Sequence, residues 1–144
     1  MSFKLKVRME PLLNNSSAVR VLLVEDSLPV RSRIRSLIEE FGPVEIVGET
    51  GTAAGALALF HKHRPEAIVL DLQLADGTAS PVLLQVKQSH PSCVVIVLTN
   101  FAIPECREHC RQLGADHFFD KSTEFERVPE VLAKLRKART ERGV

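Results

Sequence analysis

Several apolar segments of the chain are interrupted or followed by residues whose side chains could carry chemistry. These residues are three carboxylates, one hydroxyl and one ammonium: Glu25, Asp26, Asp71, Thr99 and Lys121. Three carboxylates that met at one place would repel one another unless a cation joined them, and Mg2+ prefers such oxygen ligands. An ionised Asp beside Mg2+ can attack phosphorus, while a Lys and a Thr can hold phosphoryl oxygens. The residue types therefore predict phosphoryl chemistry.

The elements that must position these residues are strands and helices in regular alternation. The apolar segments that read as strands occupy residues 19–24, 44–49, 67–74, 93–98 and 116–119. Helical patterns occupy residues 27 to about 41, 52–63, 80–89 and 104–113, and a last one begins between residues 123 and 127. Alternation with short connections predicts an α/β fold with one doubly wound parallel sheet. Its expected strand order is 2-1-3-4-5, as in flavodoxin-like folds, with five helices and a crevice between strands 1 and 3.

Composition limits the remaining function classes. The chain has 144 residues and a net charge of +1, so we expect one domain without a general attraction for nucleic acid or membranes. It contains no apolar stretch of membrane-spanning length and no signal-peptide pattern, which favours the cytoplasm. The basic end of the last helix suits the helix dipole, and direct nucleic-acid binding is not expected. Cys106, His109 and Cys110 could bind zinc on one helical face, but we expect them to pack as ordinary side chains.

Four segments of the chain resemble the receiver domains of two-component response regulators. The matching segments are residues 21–27, 68–74, 97–99 and 114–121. The resemblance extends over residues 19–140, which we interpret as the receiver domain. Residues 1–18 would form a partly disordered N-terminal extension, and residues 141–144 a short tail. Because the chain ends soon after the last helix, we expect it to have no output domain.

The resemblance implies a role for each candidate site residue. Asp71 would be the phospho-acceptor, and Thr99 and Lys121 would bind the phosphoryl group. Phe118 would be the switch aromatic, whose rotamer follows the movement of Thr99. The Mg2+ ligands would be Asp26, Asp71, Glu25 acting mainly through water, and the backbone carbonyl of Gln73. The implied partners are a sensor histidine kinase or a histidine phosphotransfer protein, together with an unknown downstream protein, and the receiver would be a monomer or a phosphorylation-dependent homodimer.

Four residues differ from those usual in this family, and several alternatives stay open. Ala75 and Ala79 replace the usual Pro and Gly, Asn100 replaces a small residue, and Ser122 replaces Pro. The chain could instead act as a phosphorelay intermediate or as a scaffold that is never phosphorylated. An aspartyl-phosphate hydrolase would need an acid two residues after its nucleophile, where Gln73 stands, so we expect no enzyme beyond self-phosphorylation and self-dephosphorylation. A dinucleotide-binding domain is disfavoured because no Gly-rich turn follows the first strand.

Overall fold

The computed structural model describes residues 18–143, with side chains described as far as residue 138. The predicted N-terminal extension, residues 1–18, lies outside this range except for Ala18. The strands are β1 (Val19–Val24), β2 (Val44–Thr50), β3 (Ala67–Leu70), β4 (Gln73–Leu74), β5 (Gly77–Thr78), β6 (Val94–Thr99) and β7 (His117–Asp120). The helices are α1 (Leu28–Glu40), α2 (Ala53–His63), α3 (Ser80–Ser89), α4 (Pro104–Gln112) and α5 (Arg127–Gly143).

Five of the strands form one parallel sheet in the order β2-β1-β3-β6-β7. This confirms the predicted order 2-1-3-4-5, because β4 and β5 form a separate two-stranded sheet. Val24 at the end of β1 pairs with Leu70 at the end of β3. The register therefore brings the residues that follow these two strands to the same place at the sheet edge.

Two apolar clusters, one on each side of the sheet, hold the helices in place. The first cluster joins the sheet to α2, α3 and α4 and contains Phe60, Leu83 and Cys110. The second joins it to α1 and α5 and contains Ile34 and Leu132. Helices on both faces explain why the central strands are apolar almost throughout.

Local signals in the sequence account for the starts of the helices that border the site. Ser27 caps α1, since its side chain accepts a hydrogen bond from the Val30 backbone N–H at 3.4 Å. Thr52 caps α2 in the same way, with the Gly55 N–H at 2.9 Å. No helix among residues 18–143 combines the length and hydropathy needed to span a lipid bilayer.

The apolar segment at residues 67–74 is not one strand, which corrects the sequence interpretation. The strand in the main sheet ends at Leu70, and the chain then forms a small antiparallel hairpin from β4 and β5. Gly77 has a φ of 130°, a conformation that glycine adopts without a steric penalty. The hairpin keeps Leu74 buried while Gln73 is exposed, so the apolar pattern continues although the main-sheet strand has ended.

Candidate functional site

The candidate residues are held in place by backbone hydrogen bonds that extend the parallel sheet beyond the ends of its strands. The Asp71 N–H donates to the Val24 carbonyl at 3.0 Å, and the Lys121 N–H donates to the Thr99 carbonyl at 2.8 Å. The Glu25 N–H donates to the Thr50 carbonyl at 2.9 Å. Each of these residues follows the end of its strand, so its side chain enters the crevice from a rigid support.

Lys121 is the centre of the site. Its Nζ donates to Glu25 Oε1 at 2.6 Å and to Asp71 Oδ2 at 2.9 Å. All three side chains are nearly buried, which strengthens the ion pairs because little water screens them. Strands 1, 3 and 5 of the predicted order thus meet through one ammonium group.

The three carboxylates form a possible metal site. Glu25, Asp26 and Asp71 each offer an oxygen, and these oxygens lie within 4.8 Å of one another. When ionised they carry three negative charges against the single positive charge of Lys121. An all-oxygen donor set with excess negative charge suits a hard divalent cation such as Mg2+. Among the described residues this is the group of donors that lie this close together, and Cys106, His109 and Cys110 are not part of one.

The buried carboxylates of Glu25 and Asp71 already have hydrogen-bond partners in the protein, whereas the carboxylate of Asp26 is exposed. Glu25 Oε2 accepts from the Ser27 N–H at 3.1 Å while its other oxygen binds Lys121, so both oxygens have partners. Burial raises the pKa of Glu25, partly offset by these two hydrogen bonds. Burial lowers the pKa of Lys121, but the bonds to Glu25 and Asp71 outweigh it and the net shift is upward. Asp26 is exposed, and its carboxylate is the most accessible for direct metal binding.

Thr99 and Phe118 are buried next to the site rather than inside it. Thr99 is fully buried, and its hydroxyl oxygen accepts a hydrogen bond from the Phe101 N–H at 3.1 Å. Phe118 lies in the core beneath Arg107, whose guanidinium carbon is 4.7 Å from the ring centroid. The same guanidinium donates to the Phe118 carbonyl at 3.1 Å. A hydroxyl that accepts one hydrogen bond can still donate its own proton, so Thr99 keeps a donor for another group.

A cavity of about 240 Å³ opens above the carboxylates. The predicted residues Glu25, Asp26, Asp71, Gln73 and Lys121 line it. Sequence reasoning did not assign the other lining residues to the site: Ser27, Val30, Asn100 and Phe101. Ser27 follows β1, Asn100 and Phe101 follow β6, and Val30 lies in the first turn of α1. None of them carries a charge, and the only one with a further signal is Asn100, which replaces the small residue usual in the family.

A comparison with protein families identifies the family of the chain. The model of the response regulator receiver domain matches residues 21–133, which include every candidate residue named above. The chain belongs to this family. The sheet order agrees with this assignment, and the group of three carboxylates lies within the matched residues.

Individual relatives support the same conclusion. The chain is 30% identical over 118 residues to the response regulator protein VraR of Staphylococcus aureus strain Mu3, an alignment that covers 81% of this chain and 56% of VraR. The chain thus spans little more than half the length of this curated relative.

Solved receiver domains share the fold. The REC domain of AraT from Geobacillus stearothermophilus has a TM-score of 0.75 and 26% identity, covering 88% of this chain and 99% of that one. The isolated REC domain of RcsB from Salmonella enterica, solved with the phosphomimetic BeF3-, has a TM-score of 0.75 and 24% identity, covering 83% of this chain and 89% of that one.

The four departures from the receiver pattern have clear structural settings. The Ala75 N–H donates to the Gly51 carbonyl at 3.0 Å, a bond that Pro could not form. Ala79 is fully buried, and its N–H donates to the Leu72 carbonyl at 2.9 Å. Asn100 lies at the cavity edge. No cis peptide bond occurs among the described residues, so the Lys121–Ser122 bond is trans.

Proposed function

We propose that this receiver domain is a phospho-accepting signalling switch in which Asp71 takes a phosphoryl group in a Mg2+-dependent reaction. The donor would be the phosphohistidine of a sensor histidine kinase or of a histidine phosphotransfer protein. The observation that carries the proposal is the Lys121 ammonium, 2.6 Å from Glu25 and 2.9 Å from Asp71, beside the exposed carboxylate of Asp26. This arrangement provides a nucleophile, a fixed cation and oxygen ligands for a metal in one cavity.

The proposed reaction is a phosphoryl transfer between two side chains. A carboxylate oxygen of Asp71 attacks phosphorus, and a P–O bond forms while the P–N bond to the donor imidazole breaks. The electron pair of that bond leaves with the imidazole nitrogen. Bound Mg2+ would neutralise part of the charge on the carboxylates and the phosphoryl oxygens.

The residues of this chain prepare that step and its consequence. Glu25 and Asp71 fix the Lys121 ammonium at the cavity wall, where it can pair with a phosphoryl oxygen without a large movement. Thr99 can donate its hydroxyl proton to the phosphoryl group if its side chain rotates into the cavity, and this rotation would carry its oxygen away from the Phe101 N–H. The segment that begins at Phe101 would then lose one of its attachments, which would change the surface offered to a downstream protein.

The test is incubation with MgCl2 and a small phosphodonor, followed by intact mass spectrometry. We expect a mass gain of one phosphoryl group in the parent chain, loss of the gain in Asp71→Asn, and a requirement for more Mg2+ in Asp26→Asn. Glu108→Gln is the control, because Glu108 is an exposed carboxylate paired with Arg111 on α4, away from the cavity. A parent chain without any mass gain over a wide range of Mg2+ concentrations would contradict the proposal and favour the scaffold alternative.

A further inference from the structure

The loop between β2 and α2 contacts the backbone that carries Asp26. A Cβ atom added to Gly51 would lie 2.9 Å from the Cα of Asp26 and 3.5 Å from the Glu25 carbonyl oxygen. Real Cβ atoms do not approach backbone so closely, so the lack of a side chain at this position lets the two loops touch. The loop between β2 and α2 therefore helps to set the position of Asp26, although none of its residues would take part in the reaction.

The same loop also holds the hairpin that follows Asp71. The Gly51 carbonyl accepts the Ala75 N–H at 3.0 Å. The Asp76 carboxylate accepts the Ala53 N–H at 2.7 Å with one oxygen and the Ala54 N–H at 3.1 Å with the other. These two N–H groups belong to the first turn of α2, where the helix has no internal partners for them. Both bonds lower the pKa of Asp76, as expected for an ionised cap.

The hairpin depends on this attachment. Each of its strands, β4 and β5, has only two residues, and an isolated hairpin of that size is unstable in water. Its first residue, Gln73, lines the site cavity and donates its N–H towards Asp71 Oδ1 at 3.4 Å. Movement of the hairpin would therefore also move the backbone next to the phospho-acceptor Asp71, which lies only two residues before Gln73.

We propose that Gly51, Ala53 and Ala54, together with Ala75 and Asp76, form a loop bracket that fixes the Asp26 loop relative to the Asp71 loop. Asp76 is then a positioning residue for metal binding and phosphoryl transfer, although its carboxylate lies outside the cavity. This inference rests on the proposed function, because it concerns the same site. The bracket preorganises the two loops, so metal binding does not have to include the entropic cost of bringing them together.

The decisive variants are Asp76→Ala and Thr52→Ala. Asp76→Ala removes two hydrogen bonds from the N-terminus of α2 and Thr52→Ala removes one, so both should lower stability, the first by more. Only Asp76→Ala releases the hairpin. We expect its Kd for Mg2+, measured by calorimetry with MgCl2, to rise about tenfold, the lower end of the effect of removing a supporting residue at a metal site. Thr52→Ala should keep the parental Kd.

A conservative variant and a second measurement guard against a folding artefact. Asp76→Asn keeps one carbonyl oxygen for the α2 N–H groups, so its Kd should fall between those of the parent and Asp76→Ala. The initial rate of phosphorylation by a small phosphodonor at low Mg2+ should follow the same order. Far-UV circular dichroism would establish that each variant is folded at the temperature of the assay.

The outcomes separate the bracket from the function on which it rests. Equal Mg2+ affinity in Asp76→Ala and Thr52→Ala, or a parental Kd in Asp76→Ala, would overturn the bracket while the proposed function stood. A parent chain that bound no Mg2+ and gained no phosphoryl group would overturn both. A raised Kd in Asp76→Ala but not in Thr52→Ala, with an intermediate Kd in Asp76→Asn, would support the bracket.

Discussion

Replacement of Lys121 by Met provides a sharp test of the charge balance at the site. Methionine keeps an unbranched apolar stem but removes the ammonium group that joins Glu25 and Asp71. Two nearly buried carboxylates would then lie close together with no compensating cation. We expect the variant to fold but to lose much of its stability in the absence of divalent ions.

The size of this loss follows from the burial of the three side chains. Those of Lys121, Glu25 and Asp71 are 10%, 3% and 9% exposed, so water screens their charges little. Removing one partner of a buried ion pair costs about 3–5 kcal/mol, mainly because the remaining charge lacks a partner. Both carboxylates face an open cavity, which favours the lower end, about 3 kcal/mol. For a domain of this length the midpoint of thermal unfolding would fall by about 10 °C.

Magnesium should reverse part of the loss. A cation that binds only the folded state adds stability according to its concentration relative to its Kd, and the variant cavity is more negative by one charge. We expect saturating Mg2+ to reduce the stability difference between the parent and Lys121→Met by about half. Urea unfolding followed by far-UV circular dichroism measures this difference, since the chain contains no Trp or Tyr for fluorescence.

Lys87→Met is the matched control. Lys87 is 13% exposed and pairs at 2.9 Å with Asp116, which is 36% exposed, so its loss breaks a partly buried ion pair. This pair does not line the site cavity, and its stability loss should not respond to Mg2+. The reasoning would be refuted if Lys121→Met lost less than about 1 kcal/mol without Mg2+. An equal response of both variants to Mg2+ would refute it as well.

Two further predictions concern titratable groups in the core. Burial raises the pKa of Cys93 to about 12 and that of Cys110 to about 11. At pH 8 we therefore expect iodoacetamide to alkylate the half-buried Cys106 of the native chain first. Rapid labelling of all three thiols in peptide maps would contradict this. Burial lowers the pKa of His117 below its ordinary value of 6.5, so the unfolded chain takes up the proton first and this residue reduces stability as the pH falls through 6.5. When the pH is lowered from 7.5 to below 6.5, the free energy of unfolding of His117→Gln, measured in urea, should therefore fall less than that of the parent. Equal decreases in the two proteins would show that the pKa of His117 is not lowered.

Much of the fold was predictable because it depends on local patterns. The strand and helix order follows from apolar periodicity, and the right-handed crossover rule then favours a doubly wound parallel sheet, for which 2-1-3-4-5 is one of the common orders. Ser27 and Thr52 were readable as helix starts for the same reason, since a cap acts within three residues. Strand ends shifted by one residue, as for Thr99, which is the last residue of β6 rather than the first after it.

The split of the segment at residues 67–74 shows where local patterns fail. Its apolar residues continue past Asp71, but the main-sheet strand stops at Leu70. Leu72 and Leu74 are buried in the apolar cluster that the sheet forms with α2, α3 and α4, so their hydrophobicity does not report on strand pairing. Periodicity detects burial, and burial alone does not distinguish a strand from a packed loop.

The chemistry available to this protein could be read from its sequence: three carboxylates, a threonine and a lysine at the ends of four strands, with Glu25 and Asp26 both following β1. How these side chains combine depends on the tertiary structure. It placed the Lys121 ammonium between Glu25 and Asp71, and it turned the Thr99 hydroxyl towards a backbone N–H. It also joined Asp76 to the start of a helix more than twenty residues earlier. Such contacts depend on the packing of whole elements against one another, which no local residue pattern encodes.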